Sequence, residues 1–278
     1  MSHPPHGHHH HGDDFDWEGM ADRLELDAAI TEPIVLALLP VVDGPVDHVL
    51  DVGSGPGAVA LTLALGLPGA EVIAMDSSAA LLHRAHHRAV QHEVADRLVT
   101  LEGDLEDVLP PTGPMDLVWA SMVLHHVADP VGALRRLRDR LRRDGTLVLV
   151  EFGDPPTVLP DGDPLLTSGI WGRFQDATAA TLRERLGLDP VAVDWPALLT
   201  EAGFDDITDD MRTAHHPAPL APVAQRWLAA HVGGGVDMAA AGLSTADVAA
   251  LEAFARDVPN RGDLAVGATR RVLTARPA

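Results

Sequence analysis

Apolar residues recur along this chain in two rhythms, and their alternation fixes the fold class before any motif is considered. From residue 16 the positions Trp17, Met20, Leu24 and Ala28 fall near one face of a helix. Thr31 reads as the opening of a second helix, with Pro33 in its first turn, where a missing N–H costs nothing. Residues 46–52 are a short apolar run ending in glycine, the mark of a buried strand. The pattern then predicts helix over 58–67, strand over 71–75, helix over 78–90, strands over 98–101 and 117–120, helix over 130–142 and strand over 146–151. Strands alternating with helices at this spacing predict an α/β protein whose parallel sheet carries helices on both faces.

Beyond Phe152 the rhythm breaks. Residues 153–192 are rich in Pro, Gly and Asp, with one helical stretch at 176–186. A helix over 195–202 stops at Gly203, a strand follows over 206–212, helices over 222–231 and 245–256, and a terminal strand over 268–275. There is no internal repeat, so the break marks a change of role within one domain.

Composition narrows the function. Forty-one acidic residues face twenty basic ones, all of them Arg, for a net charge of −21. Such a field repels a phosphate backbone, and no nucleic-acid partner is expected. The basic run 135–143 reads as the solvated face of a helix. The apolar runs are too short to span a bilayer and no secretory signal is visible, so no membrane partner and a cytoplasmic location are expected. With no cysteine there are no disulfides and no thiolate metal ligands. Residues 1–14 hold six His among Pro, Gly and Asp and read as a flexible tail, with metal chelation or a purification tag as its other readings.

The strongest local signal is Leu50-Asp51-Val52-Gly53-Ser54-Gly55-Pro56-Gly57, where the first strand turns into a helix. Glycines there let the backbone approach a ligand, and the helix start offers free N–H groups. Asp76 closes the next strand, where a carboxylate can accept from both hydroxyls of a ribose. Gly53, Gly55 and Ala58 also fit the dinucleotide fingerprint, so these residues leave a nicotinamide cofactor and S-adenosyl-L-methionine (SAM) both open.

Further on come Gly103-Asp104-Leu105, then Asp116–Ser121 leading through Met122-Val123-Leu124 into His125-His126 and Asp129-Pro130, then 141–149 and 198–204. This ordered series resembles the class I, Rossmann-like SAM-dependent methyltransferases, especially the small-molecule branch with a Leu-His-His segment after the fourth strand. The resemblance covers residues 45–152 well and 195–208 in part. It implies a doubly wound seven-stranded sheet, mostly parallel, whose last strand pairs antiparallel at the sheet's edge, with helical lid segments. On that plan 15–44 is a helical cap, 45–152 the SAM-binding core, 153–194 a variable substrate lid, and 195–278 the rest of the core with a helical insertion at about 214–258.

The resemblance also implies roles. Asp51 and the turn Gly53, Ser54, Gly55 and Gly57 would hold the amino-acid end of SAM, and Asp76 with Ser77 its ribose. Gly103 and Asp104 would meet the adenine amino group, Leu105 the ring face, and Ala120 and Ser121 the methionine part near the methyl. His125 and His126 would lie at the substrate mouth. A base is needed only when the acceptor must lose a proton, and His suits that role near neutral pH. His125 is the preferred member, although both rings can equally serve to shape the turn. Glu151 is a further acid/base or substrate-orienting candidate. Trp17, Trp171, Phe174 and Trp227 would either wall the substrate or pack in the core. His215-His216 lack a third ligand at useful spacing, so no metal is expected. The expected reaction is methyl transfer to O, N or C of a small molecule such as a secondary-metabolism intermediate, with S-adenosyl-L-homocysteine as product. A homodimer is the one assembly left open. The alternatives are a nicotinamide-dependent oxidoreductase, disfavoured because the chain has neither Tyr nor Lys, and a non-catalytic SAM-binding partner protein.

Overall fold

Strand order decides where a ligand can sit. The computed structural model describes residues 16–41, 45–110 and 112–278. The His-rich segment 1–14 lies outside the described residues. Five strands, β1 (His48–Val52), β2 (Glu71–Asp76), β3 (Leu98–Glu102), β4 (Met115–Ser121) and β5 (Leu141–Phe152), are joined by two long strands, β6 (Phe204–His216) and β7 (Val266–Pro277). They form one seven-stranded sheet in the order β3-β2-β1-β4-β5-β7-β6. β1 to β5 pair in parallel, and β7 runs antiparallel to both of its neighbours. The reversal of order between β1 and β4 opens a crevice at the carboxyl ends of these strands, the usual ligand position in such sheets.

Alternation along the strands feeds two cores. Leu50, Val52, Val118, Ala120, Leu147 and Leu149 point to one face, where α4 (Pro130–Arg138) and α7 (Trp195–Glu201) supply Leu134, Leu137, Trp195 and Leu199. Val49, Leu117, Trp119, Val148 and Val150 point to the other, under α1 (Trp17–Leu38), α2 (Ala58–Gly66) and α3 (Ala79–Gln91). A third cluster gathers Ile30 of α1 with Trp171 and Phe174 of α6 (Ile170–Leu186), Trp227 and Val232 of α8 (Pro222–Ala239), and Leu251 and Phe254 of α9 (Thr245–Asp257). The short helix α5 (Pro164–Thr167) precedes α6.

Several boundaries differ from the pattern-based reading, each for a local reason. Residues 17–38 form one helix rather than two, and Pro33 lies inside it. Thr31 does not cap; its hydroxyl donates to the Asp27 carbonyl at 2.9 Å. An interior proline costs about 3 kcal/mol. Burial of Ile30, Ile34, Val35 and Leu38 offsets it, each contributing about 1.5–3 kcal/mol. The helix predicted over 130–142 ends at Arg138, because Leu141 already pairs with Met115 and Gly145 lies where a Cβ would stand 2.8 Å from the Met115 carbonyl. β7 is antiparallel as expected, but it lies between β5 and β6 rather than at the sheet's edge, which β6 occupies.

α8 runs eight residues past its predicted end, through Gly233-Gly234-Gly235. Gly235 is required there, since an added Cβ would lie 2.5 Å from Phe174 Cζ. Gly233 and Gly234 face open space. Gly234→Ala should therefore raise unfolding stability by about 1 kcal/mol, read from the urea midpoint, while Gly235→Ala lowers it.

Candidate active site

The chain leaves β1 through three glycines in the left-handed region, Gly53 (φ 64°), Gly55 (φ 53°) and Gly57 (φ 74°). Two of them also lack room for a side chain. A Cβ on Gly53 would lie 2.5 Å from Val123 Cγ2, and one on Gly57 would lie 2.5 Å from the Ala85 Cβ. The turn is pinned from the neighbouring strand. Ser54 donates its N–H to the Met75 carbonyl (3.0 Å) and Gly55 donates to Asp76 Oδ2 (2.8 Å). Asp76 Oδ1 accepts from the Ser78 N–H (2.9 Å), at the residue that caps α3.

Above this turn lies a cavity of about 800 Å³. Its floor includes Asp51, Gly53, Ser54, Gly55 and Asp76, and Ser77 flanks them. Ser121, Met122, Val123 and His126 form one wall. α1 forms the roof with the stripe Trp17, Met20, Leu24, Asp27, Ala28 and Thr31. A second cavity of about 280 Å³ holds Gly103, Asp104 and Leu105, and shares Gly53, Asp76, Ser77, Val123 and His126 with the first. Gly57, Ala120, His125 and Glu151 line neither cavity.

The electrostatics concentrate on Asp51. It is 1 % exposed, and its Oδ2 has no hydrogen-bond partner among the described residues; neither has the Ser54 hydroxyl. Burial first, and the Asp76 carboxyl second, push Asp51 up to about 8, against one backbone hydrogen bond at Ala60. Burial also raises Asp76, opposed by the N–H groups of Ser78 and Gly55. Asp104 Oδ1 accepts from the Glu106 N–H at 2.9 Å.

The two histidines have separate surroundings. His125 Nδ1 lies 2.7 Å from Glu151 Oε2 with both side chains buried, and Glu151 Oε1 accepts from the Leu124 N–H (2.9 Å). The Phe152 ring stands edge-on to His125 at 4.7 Å. His126 packs against His125 at 4.0 Å and faces both cavities. Burial, then the neighbouring His125, lowers His126 to about 4, so its ring is neutral at pH 7. His125, the preferred base candidate, is held inward by Glu151, and it is His126 that meets both cavities. Glu151 is 0 % exposed and lines neither cavity, and its two oxygens meet the Leu124 N–H and the His125 ring.

Of the four aromatic side chains, Trp17 lines the larger cavity, whereas Trp171, Phe174 and Trp227 are buried in the third core cluster. His216 Nε2 donates to the Ile30 carbonyl at 2.9 Å and His215 is exposed. Among the described residues no three His, Cys, Asp or Glu side chains are grouped to hold a metal ion. Sequence reasoning missed Asp27, Thr31, Met122 and Arg270 on the cavity wall. Asp27 and Thr31 extend the helical stripe already visible at 17, 20, 24 and 28. Met122 carried no signal, because only its left-handed backbone (φ 55°) sets it apart. Arg270 becomes a site residue only through pairing of distant strands.

The donor set suits SAM. A buried carboxylate oxygen with no partner matches a ligand ammonium, paired acids at adjacent strand ends match a ribose and an adenine amine, and the glycine bend admits close approach. Comparison with known proteins agrees. Residues 50–147 match the family model described as a methyltransferase domain. The chain is 30% identical over 200 residues to the 27-O-demethylrifamycin SV methyltransferase of Amycolatopsis mediterranei (strain S699), covering 70% of this chain and 66% of that protein. It is 32% identical over 184 residues to the release factor glutamine methyltransferase of Bordetella pertussis, covering 60% of this chain and 66% of the relative. The chain therefore spans just under two thirds of each of these relatives. The solved structure of the YcgJ protein from Bacillus subtilis shares the fold, with a TM-score of 0.53 at 16% identity over 88% of this chain and 98% of that one. Residues 50–147, which hold the glycine turn with Asp51, Asp76 and Asp104, are thus similar to a methyltransferase domain, on an α/β fold shared with a solved structure.

Proposed function

We propose that the protein transfers a methyl group from SAM to an O, N or C atom of a small molecule held between the α1 roof and the β4 wall. The observation that carries this reading is the unpartnered Asp51 oxygen on the floor of a roofed cavity. About 800 Å³ lies within the range of small-molecule sites, roughly 300–1,000 Å³. One relative is named for a rifamycin precursor and another for a protein substrate, so the acceptor class is argued from this chain's own site. The roof formed by Trp17, Met20 and Leu24 favours the smaller acceptor, because it closes over the crevice.

In this reading Asp51 binds the ammonium of the cofactor's amino-acid end, while Asp76 takes the ribose and Asp104 the adenine amine. Both Asp76 oxygens already accept one backbone N–H, and each retains a second lone pair for a hydroxyl. Leu105 packs on the ring. SAM, when bound, supplies a methyl already activated on a sulfonium, so the protein's task is alignment and exclusion of water. Ser121, Met122 and Val123 shape the β4 side. His126, neutral at pH 7, accepts a hydrogen bond from an acceptor O–H or N–H and orients its lone pair. Glu151 and His125 fix the turn that presents it.

Calorimetry with SAM against NADH tests the cofactor, and labelled SAM incubated with fractionated metabolite extracts tests the reaction; tight NADH binding without SAM binding overturns the reading. A sharper expectation follows from Asp51. Its carboxyl is raised above its ordinary value, so below pH 8 the free protein holds a proton there that a bound ammonium displaces. At pH 7 SAM binding should release close to one proton, seen as a dependence of binding heat on buffer ionisation enthalpy. Asp51→Asn should abolish that release and weaken binding about tenfold or more. His126→Asn should lower kcat by about 100-fold for an acceptor that must be deprotonated. Glu151→Ala leaves the Leu124 N–H and His125 without their buried partner, and should lower unfolding stability by about 3 kcal/mol in urea titration.

A further inference from the structure

The polar groups of the crevice follow the spatial order of the strands. Asp104 follows β3, Asp76 ends β2, Asp51 and Gly53 lie at the end of β1, and Ser121 ends β4. Continuing across the sheet through β5 to β7 brings one more group to the cavity wall, Arg270. It pairs in register with Phe152, the last residue of β5, while Ser121 pairs with Val150 two residues earlier. Arg270 therefore rises just beyond the β4–β5 strand ends, on the side away from the groups assigned to ribose and adenine.

Resting on the methyltransferase reading, we propose that Arg270 determines substrate specificity by receiving a carboxylate carried by the methyl acceptor. Among the described residues that line the larger cavity it is the one Arg, in a lining that also holds Asp27, Asp51 and Asp76. Its side chain is 15 % exposed. It contacts Asp27 Oδ2 through Nη2 alone (2.6 Å), and Nη1 donates to the adjacent Thr269 carbonyl (3.1 Å). A guanidinium carries five N–H donors in a planar fork, so these two contacts leave donors for a further pair of oxygens. Asp27 is itself held by the Trp227 indole N–H at 3.4 Å, which keeps the countercharge to one side of the guanidinium. In a chain of net charge −21 the far field repels anions, and a cation in a partly desolvated cavity supplies the local attraction an anionic group needs.

The rival is that Arg270 only straps α1 to β7 through Asp27. The two ideas separate in a titration of the full chain. The protein is first saturated with S-adenosyl-L-homocysteine, then titrated calorimetrically with matched probes: hydroxybenzoate against hydroxybenzamide, and indoleacetate against indoleacetamide. At least one carboxylate should bind about tenfold tighter than its amide. Arg270→Met should erase that preference, Arg270→Lys should keep part of it, and Asp27→Asn should keep or enlarge it. Should Arg270→Met not fold, Arg270→Gln carries the same arm. No carboxylate preference in the unaltered protein, a preference that survives Arg270→Met, or an equal loss in Asp27→Asn would each overturn the proposal. Absence of homocysteine-product binding at the first step would overturn the methyltransferase reading, and this proposal with it.

Discussion

The hydrogen bond from the Gly55 N–H to the Asp76 carboxylate is the contact on which the site depends. It joins the turn after β1 to the end of β2, beside the backbone bond from Ser54 to Met75 that extends the strand pairing. The same carboxylate accepts from Ser78 and so fixes the start of α3. One side chain thereby sets the bend, the helix start and the position of the Asp51 carboxyl beside it. That arrangement costs stability, since two acids share a desolvated space and one oxygen of Asp51 finds no donor among the described residues. A structure that retains such a cost on the floor of a cavity has placed it where a bound cation can relieve it.

How much of this was legible depended on the distance over which each feature is determined. The β1 turn and Asp76 could be placed at strand ends directly, because a short strand's period and terminating residue are local, whereas Asp104 entered only through the family resemblance. The parallel core followed from the same alternation. The single α1 helix could not be read past Pro33, since tertiary burial of Ile34, Val35 and Leu38 overrides a local rule. The end of α4 was obscured by the run of Arg residues over 135–143, whose spacing fits a helix equally well. The helical lid aromatics were ambiguous for a related reason: Trp171 and Phe174 share a stripe that buries against α8 and α9 rather than over the ligand.

His125 and His126 show the limit most clearly. Adjacent in sequence and alike in chemistry, they are separated by one buried carboxylate, Glu151, which arrives from a strand 25 residues downstream of His126. Only the pairing of β4 with β5 brings that acid under the turn and decides which ring is held inward. Arg270 is the stronger case, because its place at the crevice requires β7 to insert beside β5.

That insertion also orders assembly. Among the described residues β6 has a single strand neighbour, β7, which follows only after α8 and α9. During synthesis the thirteen residues of β6, with their four aspartates, emerge long before anything exists to pair with them. Their charge keeps that waiting edge soluble and averse to joining a second copy of itself. β7 then acts as a keystone: its docking against β5 completes the crevice wall and gives β6 its berth in one step.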